Sequence, residues 1–143
     1  MKKKYKIISI DYGIKKTGIA ITKSNNLISI PFLTIKTNKI INFLKIYLKK
    51  ECVKLFIIGI SKKLNNKESE FELLIKKFYF LLKKKFPLGI FFKENERYTS
   101  KLSSQILSKK NKNKIDSISA TLILQSFLIK NFKKNDISNT RLF

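Results

Sequence analysis

Three Asp residues occur in this chain, at positions 11, 116 and 136, and the chain has no His at all. Chemistry that leans on imidazole, whether as general base or as metal ligand, is therefore excluded. What remains is carboxylate chemistry. Asp11 ends a β-rich run and precedes Tyr12-Gly13, Glu96 follows another β-rich run, and Asp116 opens a long apolar helix. Taken singly, each acid has an ordinary explanation: Asp11 initiates a turn, Glu96 pairs with Arg97 or a nearby Lys, and Asp116 favours a helix dipole. Taken together, they could hold one or two Mg²⁺ (or Mn²⁺) ions, which prefer oxygen donors. Such ions suit phosphodiester hydrolysis, since without His the attacking water must be activated by a metal. Glu94 shares strand parity with Glu96 and rivals it as third ligand.

Basic and hydroxyl side chains flank these acids. Lys16 follows Asp11 across a first hairpin and could approach a substrate phosphate. Arg97 could grip phosphate bidentately, and it is one of only two Arg in the chain. Thr99 is either a substrate contact or a helix cap. The run 109–114 (KKNKNK), with Lys112 and Lys114, immediately precedes Asp116 and could track a nucleic-acid backbone by charge without reading bases.

These residues need a scaffold, and the hydrophobic pattern supplies one. β-rich runs are expected over 4–11, 17–22, 27–36, 53–60 and 88–93. Short turns between the first three imply an antiparallel meander, with Pro31 at an edge or bulge. Helical spacing marks 38–51, 68–85, a polar candidate at 99–108, and 115–132. The order βββαβαβαα calls for parallel crossovers between the later strands. The expected fold is α/β and ribonuclease H-like: a mixed five-stranded sheet, with strands 1–3 as a meander plus two parallel strands, flanked by helices. One domain over 1–143 suits the length, with a frayed tail over 133–143.

Of 143 residues, 32 are Lys or Arg and 9 are Asp or Glu, for a net charge of +23. That balance makes nucleic acid the default partner, although the excess of Lys, Ile, Asn and Phe also has the look of A+T codon bias. The 43% hydrophobic content is enough for a core. The single Cys52 excludes an internal disulfide framework and is expected as a small core residue. No apolar run is long enough for a membrane span or a signal core, so a cytoplasmic protein is expected.

Four stretches resemble one family in order and spacing. Residues 10–20 (IDYGIKKTGIA) resemble the opening motif of the YqgF/RuvX family, small bacterial proteins described as pre-16S rRNA nucleases or Holliday junction resolvase-like proteins. Residues 56–60 (FIIGI) with the Asn-containing loop behind them, 95–100 (NERYTS) and 114–128 (KIDSISATLILQSFL) are similar to its later motifs. The resemblance covers about residues 5–132. It implies a ribonuclease H-like fold and a divalent-metal-dependent nuclease that matures the 5′ end of the small-subunit rRNA precursor. It places the catalytic carboxylates on Asp11, Glu96 and Asp116. Departures from the family pattern are Lys16 for Arg, Ser61 for a loop Pro, Asn66 for Gly, and Asn95 for the Asp before the Glu. A DNA endonuclease of the Holliday junction type, or a non-catalytic nucleic-acid-binding factor, are the alternatives. A monomer or weak homodimer is expected, the dimer being what a junction enzyme would need.

Overall fold

The computed structural model describes residues 5–22, 28–60, 70–95 and 115–131, with the backbone alone at 95, 115 and 116. Five strands form one sheet: β1 (Lys6–Asp11), β2 (Lys16–Thr22), β3 (Ser29–Lys36), β4 (Val53–Ile60) and β5 (Ile90–Asn95). Their spatial order is β3-β2-β1-β4-β5. β1 pairs antiparallel with β2 and β2 antiparallel with β3, while β1, β4 and β5 run parallel. This is the expected meander plus two parallel strands. Helices α1 (Ile40–Lys50), α2 (Glu70–Lys85) and α3 (Ile115–Asn131) complete the described elements, and a 3₁₀ turn over Thr37–Lys39 leads into α1.

Strand alternation divides the apolar residues between two layers. Ile8 and Ile10 of β1, Ile19 and Ile21 of β2, and Phe56 and Ile58 of β4 face α1 and α2, meeting Ile40, Leu44, Ile75, Phe78 and Leu82. Ile7, Ala20, Leu55 and Ile57 face the other way, onto Ala120, Ile123, Leu124, Phe127 and Leu128 of α3. Hence the middles of β1 and β4 are nearly continuous in apolar residues, Ser9 excepted, as strands covered on both faces must be. α2 carries Glu70 and Glu72 in its first turn and Lys83, Lys84 and Lys85 in its last, the charge order its dipole favours.

The differences from expectation have local causes. The third strand is an edge strand. Its register with β2 slips between the Ile19–Leu33 and Ala20–Pro31 pairs, which makes Phe32 the extra residue of a bulge. Pro31 thus sits where a missing donor does least harm. The fifth strand spans 90–95 rather than 88–93, because the chain turns after α2: the Gly89 amide donates to the Phe86 carbonyl at 3.1 Å. Cys52 is exposed, not a core residue. It occupies the α1–β4 turn, where its carbonyl accepts the Lys6 amide at 2.7 Å and its side chain has no layer to enter. The helix expected over 99–108 and the tail over 133–143 lie outside the described residues. Among the described residues, no helix is long and apolar enough to cross a membrane.

Candidate active site

Asp11 is the last residue of β1. Ile7 packs in the α3 layer and Ser9 bonds to α3, so alternation puts Asp11 on that same face. Its cross-strand neighbour on β2 is Gly18, and Gly18 in turn pairs with Thr34 on β3. On the other side, the Ile10–Ile58 pair is followed on β4 by Gly59, which pairs with Glu94 of β5. Asp11 is therefore flanked across the sheet by two positions that have no side chain.

The polypeptide around Asp11 is held from both faces. Tyr12 points the opposite way and stacks on Phe78 with ring centroids 4.5 Å apart, and more distantly on Phe71 at 6.3 Å. The turn after it is tight: a Cβ on Gly13 would lie 2.2 Å from the Lys16 carbonyl oxygen, so no other residue fits there without moving the backbone. The Thr37 hydroxyl donates to the Gly13 carbonyl at 2.7 Å, and the Thr37 amide donates to the Lys15 carbonyl at 2.9 Å. Thr37 has one hydroxyl proton, so Thr17, fully buried, donates to Thr37 across 2.8 Å. The β1–β2 turn is thereby tied to the β3–α1 junction.

α3 is fixed over the sheet by side chain to main chain bonds. The Ser9 hydroxyl donates to the Ala120 carbonyl at 2.5 Å, and the Ser29 hydroxyl to the Thr121 carbonyl at 2.8 Å. Ser117 borders Lys16 and Lys36 at the far end of β3, whereas Gln125 accepts the Ser29 amide at its near end. Since β3 runs parallel to β1, α3 runs against β1. Position 116 lies one helical turn before Ala120, and Asp11 lies two strand residues beyond Ser9. The two steps are each roughly 6–7 Å, and both lead toward the same end of the sheet. The structure thus brings the Asp11 end of β1 and the first turn of α3 together. β5 ends at Asn95 at that same end of the parallel strands, and Glu96 follows it directly.

Glu96, Arg97, Thr99, Lys112 and Lys114 lie outside the described residues, and among those described no three His, Cys, Asp or Glu side chains cluster. Glu94, the rival ligand, is 7% exposed and receives the Lys130 ammonium at 2.5 Å. It is engaged in tying the last turn of α3 to β5. Lys16 is exposed at the start of β2, opposite Lys36. The residues that sequence reasoning missed are Thr37, which supports the turn, and Lys36. Neither carries a sequence signal beyond its position at a strand end.

The model of a family described as RuvX, Holliday junction resolvase, matches residues 5–130. The chain belongs to the RuvX family. Curated relatives in this family agree in length as well as sequence. One from Flavobacterium johnsoniae is 42% identical, covering 86% of this chain and 95% of the relative. One from Amoebophilus asiaticus is 37% identical, covering 86% and 93%. Both bear the name "Putative pre-16S rRNA nuclease". Among solved structures, RuvC of T. thermophilus in complex with a Holliday junction substrate superposes with a TM-score of 0.56 over 88% of this chain and 95% of its own, at 11% identity. That likeness bears on the fold alone, and it agrees with the ribonuclease H-like arrangement of this RuvX-family sheet.

Proposed function

We propose that this RuvX-family chain is a metal-dependent nuclease that hydrolyses phosphodiester bonds, acting in the cytoplasm on the 5′ end of precursor 16S rRNA as a single ribonuclease H-like domain over 1–143. The observation that carries the reading is the convergence of Asp11, the first turn of α3 with Asp116, and the end of β5 that leads into Glu96. The names of the curated relatives support the substrate.

The donor set suits Mg²⁺ or Mn²⁺. It offers carboxylates alone, without imidazole or thiolate, and the glycines beside Asp11 leave room on its face of the sheet. Asp11, Glu96 and Asp116 would hold the metal. When bound there, such an ion supplies a more acidic water and neutralises charge at the phosphate. The remaining work belongs to the chain's own residues. Lys16 and Arg97 hold the phosphate flanking the cut, Thr99 donates to it, and Lys112 and Lys114 attract the backbone beyond. Tyr12 and the Thr17–Thr37–Gly13 bonds keep Asp11 from shifting when substrate arrives.

The test is cleavage of a precursor rRNA 5′ fragment with Mg²⁺ or Mn²⁺, set beside a four-way DNA junction. Asp11→Asn and Asp116→Asn are expected to abolish cleavage while retaining binding. Equal cleavage by both variants and wild type would overturn the reading. Preferential cutting of the junction would favour the activity in the family model's description, Holliday junction resolvase.

A further inference from the structure

The flank of α2 that faces β5 gathers charge around aromatic rings. β5 closes the described sheet on the side away from β3. Phe91 packs into the α1–α2 layer and Phe92 against Phe127 of α3, so alternation puts Lys93 on the α2 side. There its ammonium lies 4.6 Å from the centre of the Tyr79 ring, and the ammonium of Lys83, one helical turn on from Tyr79, lies 4.8 Å from the same centre. The two can be no farther apart than the sum of those distances. Tyr79 is itself fixed: it is buried, its ring meets Phe91 edge-on at 6.1 Å, and its hydroxyl donates to the Phe91 carbonyl at 3.4 Å. The Phe80 ring stands beside it, 6.1 Å away between centres. Phe80 precedes Lys83 by three residues, which puts both on one flank of the helix. It is 65% exposed, and both lysines are exposed with it.

We infer that this α2–β5 flank is a second contact for single-stranded RNA, outside the candidate active site, with Lys83 and Lys93 holding one backbone phosphate and Phe80 stacking an adjoining base. Each ammonium is already attracted to the Tyr79 ring, but a ring face engages the charge and leaves N–H donors on the outer side for an anion. The ring thus holds two long side chains near one point before any ligand arrives, which lowers the ordering cost of binding. Charge for the backbone beside an exposed aromatic for the base is how single strands are bound without regard to sequence. A second copy of the chain fits this surface less well. Phe80 is also flanked at one-turn spacing by Lys77 and Lys84, both exposed, and a two-fold contact would set these like charges against themselves. Lys93 lies two residues, about 7 Å, before the end of β5 at Asn95, so a strand leaving that end of the sheet can follow its edge to the patch. The inference rests on the nuclease reading for the choice of RNA and for this path, but the binding itself does not require cleavage.

The test measures fluorescence anisotropy of a labelled single-stranded RNA with the full chain in chelator, so that nothing is cut. The double variant Lys83→Ala/Lys93→Ala is compared with Lys49→Ala/Lys50→Ala, which removes the same charge from the last turn of α1. One phosphate contact to a single strand contributes about 0.7 to the salt slope, which at 0.1 M salt is about fivefold in affinity. The α2–β5 variant is expected to lose about that factor and to flatten the slope accordingly, while the α1 variant changes little. Phe80→Ser is expected to weaken binding about fivefold or more without altering the slope. If the two double variants are indistinguishable, the attraction is that of net charge and the contact is refuted. Undiminished affinity in Phe80→Ser refutes it too, as does a sizing measurement in which Phe80→Ser turns a dimer into a monomer, since a second copy then covers the ring. A chain that cleaves normally but binds RNA without dependence on Lys83 and Lys93 refutes the contact and spares the nuclease. A chain that never cleaves but binds RNA through them does the reverse.

Discussion

Replacing Thr37 with Val tests whether the turn after Asp11 is held by hydrogen bonds or merely by its own compactness. Val keeps the shape and β-branching of Thr and removes one oxygen. That oxygen donates to the Gly13 carbonyl and accepts from Thr17, whose side chain is fully buried. The Thr17 hydroxyl then loses its acceptor in the interior, costing about 1–3 kcal/mol. The Gly13 carbonyl is half-buried and can turn to water, so its loss adds only about 0.5–1 kcal/mol. Thr37→Val should therefore lower unfolding free energy by about 1.5–4 kcal/mol in urea titrations. Thr17→Val leaves the Thr37–Gly13 bond in place and should cost about 1 kcal/mol or less. The double variant buries no orphaned hydroxyl, so it should regain about 1 kcal/mol or more over Thr37→Val alone, a coupling that a double-mutant cycle resolves. On activity, a loosened turn misplaces Asp11, and Lys16 with it, while Arg97, Lys112 and Lys114 belong to a separate segment of the chain and continue to attract substrate. kcat should fall by about 10- to 100-fold with little change in KM. Strictly additive stability losses, or a KM effect larger than the kcat effect, would refute the role assigned to this network.

Two further perturbations have clear expectations. Gly13→Ala places a methyl 2.2 Å from the Lys16 carbonyl, and because the obstacle is backbone, the turn must open. Cleavage should drop sharply while circular dichroism shows the sheet retained, and wild-type activity in this variant would show the turn to be dispensable. Lys130→Met removes the partner of Glu94, whose side chain is 8% exposed. The solvent-exposed Lys tempers the loss to about 1–3 kcal/mol, measured by thermal or urea unfolding, and adding Glu94→Gln should recover part of it. A larger loss in the double variant would contradict the pairing.

The elements were legible because each obeys a local rule. Period-two and unbroken apolar runs mark the strands, 3.6 spacing marks the helices, and the turn residues between β1 and β2 force a meander. The fifth strand was displaced by two residues because Pro87 and Gly89 turn the chain after α2, a choice its apolar pattern does not record. Cys52 was misplaced for a similar reason: a small apolar side chain predicts burial only where a layer faces it, and this one sits at a turn. Tertiary bonds such as Ser9 to Ala120, 111 residues apart, leave no trace in local pattern. Glu94 shows the same limit within the candidate site. Alternation rightly puts it on the α3 face, but only the fold reveals that Lys130 occupies it.

Scarce residues proved more informative here than abundant ones. Lysines are so frequent that any single one is weak evidence for a binding surface, and a net charge of +23 confers attraction to any polyanion without choosing a place. Glycine is the opposite case. The chain has four, and three surround Asp11: Gly13 in the turn behind it, Gly18 beside it on β2, and Gly59 on β4, one step past the pair that neighbours it. A Cβ on the first would meet the Lys16 carbonyl oxygen at 2.2 Å. Gly18 and Gly59 sit within a sheet, where glycine weakens the strand and is expected only where something must approach closely. On the face that carries Asp11 they place no side chain to either side of it, which suits the close approach of a phosphate backbone that the proposed nuclease reading requires.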